Sequence, residues 1–129
     1  METKPNPSQL EACKLILPHG QAAEPEAWAA HPQFAGVSLQ HLITGSHSQG
    51  RFSLHLVRVE PGRALGEHRH PEQWELHEVL KGRGSCRLAD HVADYRPKTL
   101  ALIPPGSLHQ VNAGPQGLLI KALFVPALL

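Results

Sequence analysis

The stretch that decides the fold runs from residue 62 to residue 84: Gly62-Arg-Ala-Leu-Gly-Glu-His68-Arg-His70-Pro-Glu-Gln-Trp-Glu75-Leu-His77-Glu-Val-Leu-Lys-Gly82-Arg-Gly84. His68 and His70 stand two residues apart, so both side chains leave the same face of an extended strand. Pro71 ends or bends that strand because proline lacks the N–H of a ladder hydrogen bond. An apolar run follows and is closed by a turn predicted at Gly82-Arg-Gly84.

A tight hairpin after Pro71 would return Glu75 to a position opposite the two histidines. Two imidazoles and one carboxylate then converge, which is a ligand combination typical of first-row transition metals. His109 is the fourth candidate ligand, since it comes three residues past Gly106 in the turn that Pro104 begins. These donors suit one divalent ion of Fe, Mn, Ni, Co, Cu or Zn rather than Ca or Mg.

The spacing of these residues resembles the conserved motifs of the cupin superfamily. The five fixed positions of the first cupin motif are occupied by Gly62, His68, His70, Glu75 and Gly82. The second motif is matched at Pro104, Gly106 and His109, but departs from the usual pattern at Lys98, Thr99 and Asn112. The resemblance implies an all-β fold, a small jelly-roll barrel of the cupin type with the metal near one mouth. It also implies a family whose members commonly pair through their sheets.

The rest of the chain reads as short strands separated by Gly and Pro turns. Strands are predicted over residues 37–44, 52–60, 85–88, 92–95, 100–103, 109–112 and 118–125. Residues 24–30 predict a short N-terminal helix, because Pro25 suits its first position and Pro32 ends it. We therefore expect an N-terminal arm with a short helix over residues 1–36 and a single barrel domain over residues 37–129.

Alternation along the strand after Glu75 predicts which side chains face the barrel interior. Counting by two places His77 and Val79 inside. His77 is the candidate for a catalytic acid or base, and the alternative is an interior histidine that only shapes the pocket. Val79 and His55 are weaker candidates for lining a substrate pocket. The histidines without a spacing pattern, His41 among them, are expected at the surface.

Composition narrows the classes of partner. The 129 residues carry a formal net charge of only +1 and no basic block, which argues against nucleic acid and membrane surfaces as partners. Cys13 and Cys86 are far apart in sequence and are expected to be reduced thiols. The sequence shows no export signal and no apolar run of membrane-spanning length, so we expect a soluble cytoplasmic protein.

The complete ligand set favours a metal-dependent enzyme that acts on a small oxygenated or acidic molecule. Four protein ligands on an octahedral ion leave two positions for other molecules, so a dioxygenase-type reaction is the leading hypothesis. The alternatives are a non-catalytic small-molecule binding or sensing module, and a metal-dependent isomerase or cyclase that needs no oxygen. The apolar segments 15–17 and 124–129 further predict a homodimer.

Overall fold

Ten β-strands provide most of the regular structure in residues 13–129, the part of the chain that the computed structural model describes. The strands are β1 (Leu15–Ile16), β2 (Ala22–Ala23), β3 (Ala29–Ala30), β4 (Val37–Ile43), β5 (Ser53–Val59), β6 (Ala64–His68), β7 (Trp74–Leu88), β8 (His91–Tyr95), β9 (Leu100–Ile103) and β10 (His109–Val125). A single helical turn, α1 (Gly45–Ser48), joins β4 to β5, and a 3₁₀ turn at Pro18–Gly20 separates β1 from β2.

The main sheet has the strand order β3-β4-β5-β10-β7-β8, with β6 paired to β10 and β9 paired to β7. Strands β1 and β2 form a separate two-stranded sheet. All of these pairs are antiparallel. The predicted all-β, jelly-roll architecture is therefore confirmed.

The two longest strands, β7 and β10, fold back together. His109 and Phe124 lie near opposite ends of β10, yet their rings are 6.0 and 4.9 Å from the ring of His70. A straight strand of that length would hold them about 50 Å apart, so β10 must reverse between them. Strand β7 stays paired to β10 on both sides of this bend, and the register shifts between Ala113 and Leu118.

Gly82 lies at this corner with a φ of 85°, a conformation that favours glycine. A Cβ at this position would overlap the carbonyl oxygen of Gly117 on β10. The prediction that a turn at residues 82–84 ends the strand is therefore wrong, because β7 continues through these residues as one bent strand. The cause is the close approach of the β10 backbone, which keeps the ladder paired around the corner.

The core lies between the two faces of the folded sheet and consists of side chains that alternate along the strands. Its largest fully buried members include Tyr95, Ile103, Ile120, Val37, Val59, Val79 and Val111. A second, smaller cluster lies on the outer face, where Trp28 and Cys13 pack on Leu42, Leu56 and Leu119. The N-terminal segment thereby covers part of the sheet.

Two local predictions are corrected by the structure. The short helix is not at residues 24–30: residues 24–28 have no regular structure and β3 pairs with the edge of β4. The short helical turns lie instead at Pro18–Gly20 and in α1. The second correction concerns the predicted hairpin after Pro71, because β6 pairs with β10 rather than with β7. The carbonyl of His70 accepts the N–H of Gly106 at 2.9 Å, so the chain at this point is attached to the loop before β10.

Candidate metal centre

Four side chains from three strands and one connecting segment meet at one point of the barrel. His68 ends β6, His70 follows it, Glu75 is near the start of β7, and His109 is the first residue of β10. His68 and His109 are cross-strand partners. One ligand atom from each of the four residues lies within 4.8 Å of the other three. The structure thus brings together the four residues that the sequence singled out.

Backbone carbonyls fix the tautomers of two of these histidines. His68 Nδ1 donates to the carbonyl of Gly66 at 2.7 Å, and His109 Nδ1 donates to the carbonyl of Ser107 at 3.0 Å. A carbonyl oxygen only accepts, so the proton of each neutral ring is on Nδ1. Both Nε2 atoms therefore carry a lone pair, as a metal-ligating imidazole requires.

A buried hydrogen-bond chain orients the carboxylate of Glu75. The hydroxyl of Tyr95 donates to His77 Nδ1 at 2.8 Å, and His77 Nε2 donates to Glu75 Oε2 at 2.7 Å. All three side chains are buried. Glu75 Oε2 is thereby occupied, and Oε1 remains for the cluster.

The remaining oxygen and the lone pair of His109 face each other. Glu75 Oε1 lies 3.0 Å from His109 Nε2 and 3.8 Å from His70 Nε2. Both Oε1 and His109 Nε2 are buried, and neither has a hydrogen-bond partner in the described part of the chain. At this distance the two lone pairs repel one another unless a positive charge lies between them, either a second proton on the His109 ring, which would then donate to Glu75 Oε1, or a bound cation. Three imidazoles and one carboxylate fit a divalent transition metal, and its ligands would be His68, His70, Glu75 and His109.

The same electrostatics shift the pKa values of the cluster. Burial alone would raise the pKa of Glu75, but His77 and His109 outweigh it and hold this pKa well below its usual range. Burial opposes the charge on His109, yet the hydrogen bond and negative charge of Glu75 raise its pKa overall. Burial lowers the pKa of His68 to about 4 and also lowers that of His70. Below the raised pKa of His109, a proton on His109 Nε2 can donate to Glu75 Oε1 in the place where a cation would lie.

Metal binding is expected to release this proton. Below the raised pKa of His109 a metal must displace it, so affinity should increase as pH rises from about 6.5 through that pKa. Release should fall toward zero at higher pH, because Glu75 is already ionised and His68 already neutral. Calorimetry of zinc binding in buffers of different ionisation enthalpy, over a series of pH values from 6.5 upward, measures the number of protons released. Release that does not decline along the series would contradict the prediction.

The candidate metal centre opens into a cavity of about 140 Å³. Its polar wall consists of His31, His41, His55, His68, His70 and Glu75, and its apolar wall of Leu39, Val57, Leu65, Phe124, Leu128 and Leu129. An apolar protein cavity of about 150 Å³ holds a benzene molecule, whereas drug-sized ligands occupy about 300–1,000 Å³. The enclosed space therefore suits a compact small molecule.

The structure separates the predicted pocket residues into two groups. His55 is only 3% exposed and lines the cavity. His77 and Val79 point inward as predicted but are not in the cavity wall: His77 lies behind Glu75, and Val79 belongs to the core. This placement favours the alternative in which His77 only orients Glu75, and a catalytic role for it stays a prediction.

Sequence reasoning missed His41, which was expected at the surface. It is half-buried, lines the cavity and contacts His55. The signal was present in the period-two pattern of β4, which puts His41 on the same face as Val37 and Leu39. Phe124 and Tyr95 were missed because nothing in the local sequence shows that they reach the site.

The chain belongs to the cupin family: residues 55–125, more than half of its length, match the family model described as a cupin domain. No curated protein matches the chain. Solved structures with a similar fold include KdgF from Halomonas sp., with 17% identity, a TM-score of 0.68, and coverage of 78% of this chain and 88% of that one. A predicted oxalate decarboxylase from Thermotoga maritima has 20% identity, a TM-score of 0.70, and coverage of 79% and 91%. A cupin-2 domain protein from Rhodospirillum rubrum has 26% identity, a TM-score of 0.69, and coverage of 77% and 68%.

In the described residues, no helix combines the length and the apolar character needed to cross a membrane.

Proposed function

We propose that this cupin is a metal-dependent enzyme acting on a small oxygenated or acidic molecule, with a dioxygenase-type reaction as the leading possibility. One observation carries the proposal: one ligand atom from each of His68, His70, Glu75 and His109 lies within 4.8 Å of the other three. Such a set of donors fits a divalent cation, and the cluster opens into a cavity of small-molecule size.

A transition metal bound here would supply Lewis-acid or redox chemistry. The chain itself supplies the orientation and the environment. Tyr95 and His77 hold Glu75 in one position, while Leu39, Val57 and Phe124 form part of the apolar wall of the cavity. One carboxylate against a divalent ion leaves a net charge of about +1, which attracts an anionic oxygen of the ligand.

The function is tested by oxygen uptake with different metals. We expect protein loaded with Fe²⁺, Mn²⁺ or Cu²⁺ to consume oxygen with at least one small hydroxy acid, diketone or catechol. The Zn²⁺-loaded protein should not consume oxygen, because zinc has no redox change.

Two outcomes would replace the dioxygenase hypothesis by another function. Turnover by the zinc form as fast as by the iron form, without oxygen uptake, would indicate an isomerase or cyclase. Absence of turnover with every metal, combined with a dose-dependent rise in melting temperature with small acids, would indicate a binding module.

A homodimer remains the prediction for assembly. Only parts of the two predicted segments are exposed: Ile16 is 57% exposed, whereas Phe124 is buried and Leu128 packs against the core. The β9 side chains Leu100 and Leu102 are also more than 60% exposed, and exposed apolar groups of this kind favour an interface. Light scattering at high micromolar concentration should give the dimer mass. Replacing both leucines of β9 by Lys should shift it toward the monomer if β9 takes part, and a monomeric parent protein would contradict the prediction.

A further inference from the structure

A second pair of histidines lies in the same cavity, outside the set of four ligands. His41 on β4 and His55 on β5 are cross-strand partners, and their Nδ1 atoms are 2.8 Å apart. Both rings line the cavity. Burial, together with His41, lowers the pKa of His55 to about 4, so His55 is neutral at physiological pH.

The donors and acceptors around Ser53 and His55 determine the direction of the hydrogen bond between the two histidines. The N–H of Leu128 donates to Ser53 Oγ at 2.9 Å, and Ser53 Oγ lies 2.8 Å from His55 Nε2. Ser53 is fully buried, and His55 Nε2 is the one acceptor for its hydroxyl hydrogen among the described residues. The hydroxyl therefore donates to His55 Nε2, which places the proton of His55 on Nδ1.

The position of the ring proton of His41 follows from the same chain of hydrogen bonds. His55 Nδ1 donates to His41 Nδ1, so His41 Nδ1 accepts and its proton is on Nε2. The reverse direction would leave the buried hydroxyl of Ser53 without an acceptor in the described chain, which is unfavourable. No hydrogen bond of His41 Nε2 to another described residue is present. The pair thus ends in the Nε2–H group of His41, a donor that no described residue accepts, on a ring that lines the cavity.

A neighbouring histidine is held in the same tautomer. His31 Nδ1 accepts the backbone N–H groups of Gln33 and Phe34 at 3.0 and 3.3 Å. Its proton is therefore on Nε2, and its ring also lines the cavity. Among the described residues that line the cavity, Glu75 is the only acidic one. Away from the candidate metal centre, these polar residues therefore offer hydrogen-bond donors.

Phe124 lies against both polar groups of the cavity wall. Its ring centroid is 4.9 Å from that of His70 and 5.5 Å from that of His55. The wall therefore combines the candidate ligand cluster, an aromatic ring and the histidine pair. A ligand that contacts all three carries two oxygen groups joined by a short apolar segment.

We propose that His41, positioned by His55 and Ser53, is a ligand-binding residue that receives the second anionic oxygen group of a small two-ended acid. The first oxygen group of this acid would lie at the candidate metal centre, so the inference deepens the proposed function and rests on it for that anchor. Ser53 and His55 are positioning residues, because they act through His41.

The test compares acetate, which reaches one end, with malonate, succinate and glutarate, which can reach both. Their dissociation constants are measured by calorimetry on the zinc-loaded protein, in which no redox turnover occurs. At least one dicarboxylate should bind more tightly than acetate. His41→Phe should weaken that dicarboxylate by about 10- to 100-fold, the range for a hydrogen bond to a charged group, and leave acetate binding and zinc content unchanged. His91→Phe, at an exposed histidine of β8, is the control and should change neither.

The tautomer is tested separately by ¹⁵N NMR of the histidine rings, which needs no metal. His41 should carry its proton on Nε2 in the parent protein, and Ser53→Ala should give a mixture of tautomers because His55 Nε2 loses its donor. The proposal is overturned if His41 carries its proton on Nδ1, if no dicarboxylate binds better than acetate, or if the advantage survives His41→Phe. If the protein binds no zinc, the proposed function fails, and the same titrations on the metal-free protein decide the inference: His41-dependent dicarboxylate binding supports it, and its absence overturns it.

Discussion

Replacing Glu75 by Gln is expected to abolish high-affinity metal binding while the barrel stays folded. The amide has the shape of the carboxylate, so its oxygen can still accept from His77 Nε2. Its NH₂ group then faces His109 Nε2 and donates to the lone pair of that nitrogen, where the parent protein has a carboxylate oxygen at 3.0 Å. The substitution therefore removes the negative charge of the cluster and also occupies the His109 lone pair that a metal would need. The loss of affinity should exceed the ~100-fold that removal of an outer hydrogen-bond partner costs.

Two further variants show whether the loss of metal affinity is specific to Glu75. His77→Gln removes only the partner of Glu75 Oε2 and should lower zinc affinity by about 10- to 100-fold. Glu72→Gln, at an exposed carboxylate near the site, should have no effect. Competition with a chromophoric chelator gives the affinities, and circular dichroism verifies the fold. Full zinc occupancy in the Glu75→Gln protein would show that another carboxylate is the ligand.

The largest effect on stability is expected for Gly82→Ala. The φ of 85° alone disfavours alanine by about 1–2 kcal/mol. The added Cβ would also overlap the carbonyl oxygen of Gly117, and an overlap with backbone cannot be relieved by rotating a side chain. We expect a destabilisation beyond about 4 kcal/mol, in the range reached only by severe steric or burial defects. Thermal unfolding of the metal-free protein should show a Tm lowered by more than about 10 °C.

Gly62→Ala is the matched control for this prediction. Gly62 has a similar φ of 71°, but a Cβ there has no atom within 4 Å. Its substitution should therefore cost only the backbone term of about 1–2 kcal/mol. Equal Tm losses for the two variants would mean that β10 moves away from β7 without penalty, and the close approach at the corner would not matter for stability.

The sequence predicted which four side chains cluster, but not the strand pairing that brings them together. His68, His70 and Glu75 are recognisable because their spacing is local, and His109 because it follows a Pro-Pro-Gly turn. Partner choice is not local: nothing near Pro71 shows that β6 pairs with β10 instead of forming a hairpin. The helix expected at residues 24–30 was wrong for a related reason. A helix of about seven residues is marginal on its own whatever its composition, and the edge of β4 offers Ala29 and Ala30 backbone partners.

The fold-back of β10 has a consequence for how such a protein would acquire its metal. This strand pairs with β5, β6 and β7, so the part that carries His109 is held in place only after segments far apart in sequence have met. Contacts of this kind form slowly and late, and a newly made chain would offer no assembled chelating site to an ion. Loading would then take place through the open end of an already closed barrel. Under these conditions the metal pool of the compartment, as much as the four donors, decides which ion is bound.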